Sequence, residues 1–264
     1  MLVDTHAHLC DPAFDKDRAA VVSRARRQGL GAIVAVAENL LDAQRNLEFG
    51  IRYPDLIRPA AGLFPTQLNM SEAEDLVDWI REHRDQLIAI GEVGLDLWKV
   101  QDVEDRQLQR EIFSLFVDLS KELDLPLNVH SRAAGRQTIE LLLERGATRV
   151  QLHAFDGRAA KAEPAVEAGY FFSVPPSVVR SIQKQKLVRR LPLTCLLVET
   201  DSPVLGVQPD DRNEPCNVVI PVQAIAELKD LPVPVVAAAV TDNAIRLYGS
   251  RLVAGHRAVE SSLF

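Results

Sequence analysis

Short apolar runs alternate with longer amphipathic stretches from one end of the chain to the other, and this alternation restricts the fold more than any other property of the sequence. The runs are Leu2-Val3, Ala32 to Val36, Ile57 to Leu63, Leu87 to Val93, Leu125 to His130, Arg149 to His153, Gly169 to Ser173 and Thr194 to Glu199, about eight strand candidates. Helical spacing fills Lys16 to Gln28, where Val21, Val22 and Ala25 share one side, and also Leu41 to Arg52, Glu72 to Arg84 and Glu104 to Leu123. Pro126 is tolerable because it opens its strand. Strand-then-helix repetition with nearly continuous apolar strands implies parallel pairing buried on both faces. No low-complexity linker or short internal repeat divides the chain. At 264 residues the expected architecture is one α/β unit, a TIM-like (β/α)8 barrel over 1–264, with a C-terminal tail from about 249. A doubly wound open sheet is the alternative.

Charged residues make up 25% and hydrophobic ones 47%, which suits a soluble enzyme and excludes a disordered or fibrous chain. The start, Met1-Leu2-Val3-Asp4-Thr5-His6, lacks the basic and long apolar regions of a secretion signal, and no apolar run approaches bilayer length. A cytoplasmic location is expected, with no membrane association. Cys10, Cys195 and Cys216 are odd in number and widely spaced, and are expected to be reduced structural thiols. The net charge of −7 argues against broad electrostatic binding to duplex nucleic acid. It does not exclude a nucleic-acid substrate, because divalent cations in a site are themselves a strong local positive charge.

His6 and His8 flank Ala7 at the end of the first run, and residues two apart in a strand point the same way. Two imidazoles on one face, close to Asp4, can present neutral nitrogens to one divalent ion. A His-x-His pair alone also arises as two surface imidazoles. The rest of the pattern decides between these readings. Glu92 closes Ile88-Ala89-Ile90-Gly91-Glu92, His130 closes the run from Leu125, His153 closes Val150-Gln151-Leu152, and Asp201 follows Leu196 to Thr200. In a parallel barrel the carboxyl ends of the strands meet at one mouth, so four imidazoles and two carboxylates converge there. His83, inside a helix, and His256, in the tail, have no such position and are expected to be solvated.

These residues resemble a known family. Asp4-Thr5-His6-Ala7-His8-Leu9, Gly91-Glu92-Val93-Gly94-Leu95-Asp96, Val129-His130-Ser131-Arg132, Leu152-His153-Ala154-Phe155 and Glu199-Thr200-Asp201-Ser202-Pro203 look like the signature blocks of TatD-type metal-dependent hydrolases, within the amidohydrolase superfamily. Arg212-Asn213-Glu214-Pro215 and Thr241-Asp242-Asn243-Ala244 also match, so the resemblance runs from about residue 2 to 248. The stretch from Asn128 through Leu187 is similar to the third TatD-domain-containing branch known in animals. The resemblance implies a TIM-like barrel, a divalent metal centre and deoxyribonuclease or related phosphodiesterase activity on DNA. It also implies two divalent ions, one among His6, His8, Glu92 and Asp201 and one among Glu92, His130 and His153, with Glu92 bridging. A carboxylate has two oxygens and can serve two cations, which a neutral imidazole cannot. Hydrolysis would then use a metal-activated water, with Asp201 both a ligand and the acceptor of its proton. Of the candidate ions Zn, Mn and Mg, four imidazoles among six ligands favour Zn or Mn over Mg, which prefers oxygen.

Other residues have weaker claims. Glu199 shares a strand face with Asp201 and is expected either to orient a ligand or to form a barrel-lining salt bridge. Arg132, just after His130, is a candidate phosphate contact because a guanidinium pairs two oxygens. Arg212 and Asn213, on the loop after Asp201, are candidates for the same mouth or for loop bracing. Lys184 and Lys186 read as a solvated helix face.

One position departs from the family pattern. Where the family usually has Gly-x-His-Pro, this chain has Gly62-Leu63-Phe64-Pro65. A histidine there would contact phosphate or assist proton transfer; phenylalanine can do neither but can stack on a base or sugar. Three readings follow: a metal-dependent DNA phosphodiesterase, an amide or ester hydrolase of the same superfamily, and a metal-binding scaffold made catalytically weak by Phe64. No lysine stands in for Glu92 as a bridge, which disfavours a dihydroorotase-like arrangement. No protein partner is legible.

Overall fold

Eight parallel strands lie side by side in chain order: β1 (Leu2–Ala7), β2 (Leu30–Ala35), β3 (Ile57–Ala61), β4 (Ala89–Gly94), β5 (Leu127–His130), β6 (Val150–Leu152), β7 (Phe171–Val174) and β8 (Leu196–Val198). This computed structural model describes residues 1–253. Each strand coincides with one of the apolar runs in the sequence. The ends of the sheet meet: Ala7 bridges Ser202, His8 N donates to Ser202 O at 2.8 Å, and Asp201 N donates to His6 O at 2.9 Å. A (β/α)8 barrel results, and the open doubly wound alternative is excluded. Thr5 Oγ1 donates to Val198 O, and the buried Asp4 accepts from Thr200 N and Thr200 Oγ1, so polar side chains complete the seam.

The helices are α1 (Arg18–Arg27), α2 (Leu40–Arg52), α3 (Met70–His83), α4 (Val103–Leu123), α5 (Gly135–Glu144), α6 (Glu163–Glu167), α7 (Ile182–Arg190), α8 (Val219–Lys229) and α9 (Val233–Tyr248). The first four stand where the sequence places them. Side-chain caps start three of these, with Asn39, Asn69 and Asp102 accepting from backbone N–H groups of Asp42, Glu72 and Glu104. The later helices are less legible for physical reasons. Only five residues form α6, α7 buries just Leu187 and Val188, and α8 and α9 are too rich in valine and alanine to show a polar face.

Close approach of β4 to β5 depends on glycine. A Cβ at Gly94, whose φ is 148°, would sit 2.1 Å from His130 O, and one at Gly91 would sit 2.6 Å from Asn128 Cβ. These two glycines let Glu92 and His130 stand on adjacent strands without a gap.

The first residues of the stretch expected as a tail from about 249 are packed. Ser250–Val253 form a short 3-10 turn, Leu252 is buried, and Arg58 Nε donates to its carbonyl at 2.8 Å. His256 and the rest of the tail lie outside the described residues. His83, expected to be solvated, is half-buried: its ring stacks on Trp79 at 4.1 Å and its Nδ1 lies 2.9 Å from Trp79 O. Cys10 and Cys195 are buried free thiols, and Cys216 is half-buried. Among the described residues no helix is long and apolar enough to cross a membrane.

Candidate metal centre at the barrel mouth

His6 lies within β1 and His8 one residue past it, Glu92 lies in β4, His130 ends β5, and His153 and Asp201 follow β6 and β8. The structure brings all six together. His6 Nε2 and His8 Nε2 are 3.2 Å apart, and each faces Glu92 Oε2 (3.6 and 3.3 Å) and Asp201 Oδ1 (3.4 and 3.3 Å). Four donors around an ion at zinc-like bond lengths are separated by about 3.3 Å in a tetrahedron. On the other side of Glu92, Oε1 lies 2.6 Å from His130 Nδ1 and 3.0 Å from His153 Nε2, and those two nitrogens are 3.3 Å apart. One carboxylate thus serves two donor sets, an oxygen to each. Glu92 is 1% exposed and its Oε2 has no hydrogen-bond partner, so a buried acceptor stands among imidazole nitrogens with nothing from the protein to satisfy it. The residues fit divalent cations.

Two of the nitrogens that face away from Glu92 are also supported. His6 Nδ1 lies 2.8 Å from Asn128 Oδ1, and His130 Nε2 lies 3.1 Å from Asp96 Oδ2. His8 Nδ1 faces Glu38 Oε1 at 3.6 Å and His153 Nδ1 faces Glu199 Oε2 at 3.7 Å, contacts too long for a hydrogen bond. Oxygens behind metal-ligating imidazoles fix the tautomer and the ring orientation. Asp96, Asn128 and Glu38 were not singled out from the sequence. Asn128 carried a signal, since it stands two residues before His130 on the same strand face.

Charge in the cluster is mutually compensating. Burial favours a neutral Glu92, but the imidazoles of His153, His130 and His6 overcome it and hold the carboxyl well below its usual range. Asp201 is held low against burial by hydrogen bonds from His6 and His8. The carboxylates in turn overcome burial at His8, which is raised to about 9, and raise His130 and His153. The floor of the mouth is therefore a field that favours positive charge. Asp4 stays outside it, and burial pushes its carboxyl up to about 8.

A family model for TatD related DNase matches residues 3–249. The chain belongs to the TatD family. It is similar to human deoxyribonuclease TATDN3, 43% identical over 94% of this chain and 94% of that one. It is also similar to the uncharacterized metal-dependent hydrolase YabD of Bacillus subtilis, 36% identical over 94% of this chain and 99% of that one. The crystal structure of YJJV, a TatD homolog from Escherichia coli, superposes with a TM-score of 0.86 at 29% identity, covering 94% and 97% of the two chains. A TatD-family hydrolase is what the signature blocks implied.

Above the TatD cluster opens a cavity of about 450 Å³. Phe64 lines it, half-buried, with its ring 5.1 Å from that of His130 and edge-on to it. Arg132 lines it too, its guanidinium 3.8 Å over the exposed Trp98 ring. Lys184 is not on a solvated face. It reaches the same cavity from α7 and donates to Ala154 O at 2.8 Å, and burial pulls its ammonium below the ordinary lysine range. Lys186 is exposed, as expected.

Arg212 and Asn213 do not line this cavity. Arg212 pairs with Asp17 and Glu214 at 2.6 and 2.8 Å, and Asn213 is buried, donating to Thr200 O and Val204 O. Both brace the loop after β8, because Arg212 points toward α1 rather than into the mouth. Glu199 is likewise held, accepting from Ala154 N at 2.8 Å and Ser173 Oγ at 2.6 Å.

A polar network continues below the TatD centre. Asn128 Nδ2 donates to Thr5 O and to Tyr248 Oη, which donates to Gln151 Oε1 at 2.6 Å, and Gln151 Nε2 donates to Ser173 Oγ. The last helix thereby reaches His6 through Asn128 and Glu199 through Gln151 and Ser173.

Proposed function

We propose that the chain is a divalent-metal-dependent phosphodiesterase that hydrolyses DNA. The observation that carries this reading is the sharing of buried Glu92 between two donor sets at the floor of a cavity whose wall includes Arg132 and Lys184. In the proposed assignment His6, His8, Glu92 and Asp201 hold one ion, and Glu92, His130 and His153 hold the other. Bound there, two divalent ions supply Lewis acidity toward phosphoryl oxygens and lower the pKa of the attacking water. Zn or Mn suits the imidazole-rich set better than Mg.

The protein groups around this floor have separate tasks. Asp201, ionised and facing the cavity, accepts a proton at its carboxylate as water attacks. Arg132 offers a planar fork to a phosphate, and its stacking on Trp98 limits the rotamers it must give up to do so. Phe64 offers an aromatic edge or face to a base or sugar where a histidine would have offered a proton. With a net charge of −7, attraction for a polyanion is concentrated at the mouth rather than spread over the surface.

The test is metal analysis of the purified protein coupled to hydrolysis assays on single-stranded and duplex DNA with Zn, Mn and Mg, and a parallel panel of amides and carboxyl esters. Bound metal with DNA cleavage supports the reading. Cleavage confined to amides or esters, or bound metal with no hydrolysis of any substrate, overturns it in favour of the other superfamily chemistry or of a scaffold.

A further inference from the structure

Lys184 places an ammonium in the mouth with no counter-charge beside it. Its single hydrogen bond goes to Ala154 O, leaving two of its three N–H donors uncommitted. Among the described residues no carboxylate lies within the 4.0 Å of an ion pair with Nζ. Glu199, Asp156 and Asp201 act on it only from farther away, and each has partners of its own. Glu199 accepts from Ala154 N and Ser173 Oγ, Asp156 from Ala133 N, and Asp201 faces His6 and His8.

Lys184 is half-buried at the cavity wall, where a flexible lysine ordinarily swings out to open solvent. Here the helix prevents escape. Ser181 caps α7, Leu187 and Val188 are buried, and Gln183 Nε2 donates to Phe155 O and Gly157 O at 3.2 and 2.7 Å, pinning the first turn to the loop after β6. Arg132, after β5, is a second cation on this side, with its guanidinium on Trp98 and, among the described residues, no carboxylate bound to it. Asp156, after β6, lines the cavity between these two cations and accepts from Ala133 N, and the opposite rim carries Asp11 and Glu38, after β1 and β2. A polyanion crossing the mouth is drawn along the side that carries Arg132 and Lys184.

We propose that Lys184 is a specificity-determining residue that binds a phosphate neighbouring the one being hydrolysed, so that the site selects a strand with at least two phosphates over an isolated phosphodiester. This rests on the phosphodiesterase reading.

The test compares wild type, Lys184→Met and Lys184→Arg as full chains, with melting temperatures recorded. Two hydrolysis substrates, a single-stranded oligodeoxynucleotide and bis(p-nitrophenyl) phosphate, are paired with calorimetric titration of thymidine 3′,5′-bisphosphate. Lys184→Met is expected to lose about tenfold or more kcat/KM on the oligonucleotide beyond its loss on the single diester, mainly through KM. Bisphosphate affinity falls by a similar factor, and Lys184→Arg recovers most of both. Equal losses on the two substrates, or bisphosphate affinity unchanged in Lys184→Met, overturn the proposal. If wild type cleaves neither phosphodiester, the phosphodiesterase reading fails and the titration alone decides. A tenfold loss restored by arginine then retains the lysine site, and no difference, or no binding by wild type, removes it. Should Lys184→Met fail to fold, Lys184→Gln takes its place under the same criteria.

Discussion

Nδ1 of His6 lies 2.8 Å from Oδ1 of Asn128, and this contact decides which nitrogen of His6 faces the centre with a lone pair. The amide of Asn128 is oriented by Thr5 O, a pure acceptor 2.9 Å away, so the NH₂ group points there and the oxygen points at His6. His6 Nδ1 therefore carries the proton, and Nε2 is free for a cation. Asn128→Ala is expected to weaken Zn affinity about 10- to 100-fold, measured by competition with a chelator. Unchanged affinity would show that the amide does not orient the ring.

Glu92→Gln keeps the volume of the bridge and removes its charge. Since one carboxylate serves both donor sets, the substitution is expected to lower metal content and to cut hydrolysis by more than the ~100-fold that losing an outer partner costs. Mass-spectrometric metal analysis and initial rates check this; full metal content in the variant would contradict the sharing of Glu92.

Phe64 lines the cavity beside His130, so a histidine in its place faces the mouth. Phe64→His is expected to raise DNA hydrolysis by ~100-fold, the lower range for a proton-transfer group, with metal content unaltered. Absence of any gain would indicate that the aromatic ring is not what limits turnover.

Arg212 and Arg24 clasp Asp17 and Glu214, joining α1 to the loop after β8. Hydrogen bonds from Arg212 and then Arg24 hold the Asp17 carboxyl below its ordinary value. Such a group adds stability above its unfolded pKa of about 4 and loses it as pH falls toward the folded value. Arg212→Ala is therefore expected to lower the melting temperature at pH 7, with the difference shrinking below about pH 4. Melting curves across that range test the brace, and a pH-independent difference would sink it.

Burial pushes the thiols of Cys10 and Cys195 up to about 12 and about 11. Burial and the charge of Glu214 raise the Cys216 thiol too, but this residue is only half-buried and is the most accessible of the three. A thiol-reactive chromophore at pH 8 is expected to titrate one equivalent in the native protein and three after denaturation, and two or more fast equivalents would contradict the packing of the β1 and β8 surroundings.

The barrel was legible in the sequence because strands buried on both faces must be nearly continuous apolar runs, and eight such runs separated by helical stretches leave few alternatives. The six donors were legible for a related reason: each sits at or just past the end of a run, and parallel strands bring those ends to one mouth. The later helices were less so: α6 has only five residues and α8 is apolar nearly all round, whereas α5 does carry an amphipathic period, with Thr138, Ile139, Leu141 and Leu142 on its buried side.

Sequence by itself determined which six donors stand at the strand ends, four imidazoles and two carboxylates. Only the tertiary structure decided where the side chains beyond the strands point. Lys184 and Lys186 are two apart on one helix, yet α7 docks so that the first enters the cavity and the second faces water. Arg212 lies on the loop after β8 and turns away to Asp17, which is 195 residues distant in the chain. Strand alternation is a local property of the backbone and can be read from spacing; the direction of a loop or helix side chain depends on what packs against it, which no spacing encodes.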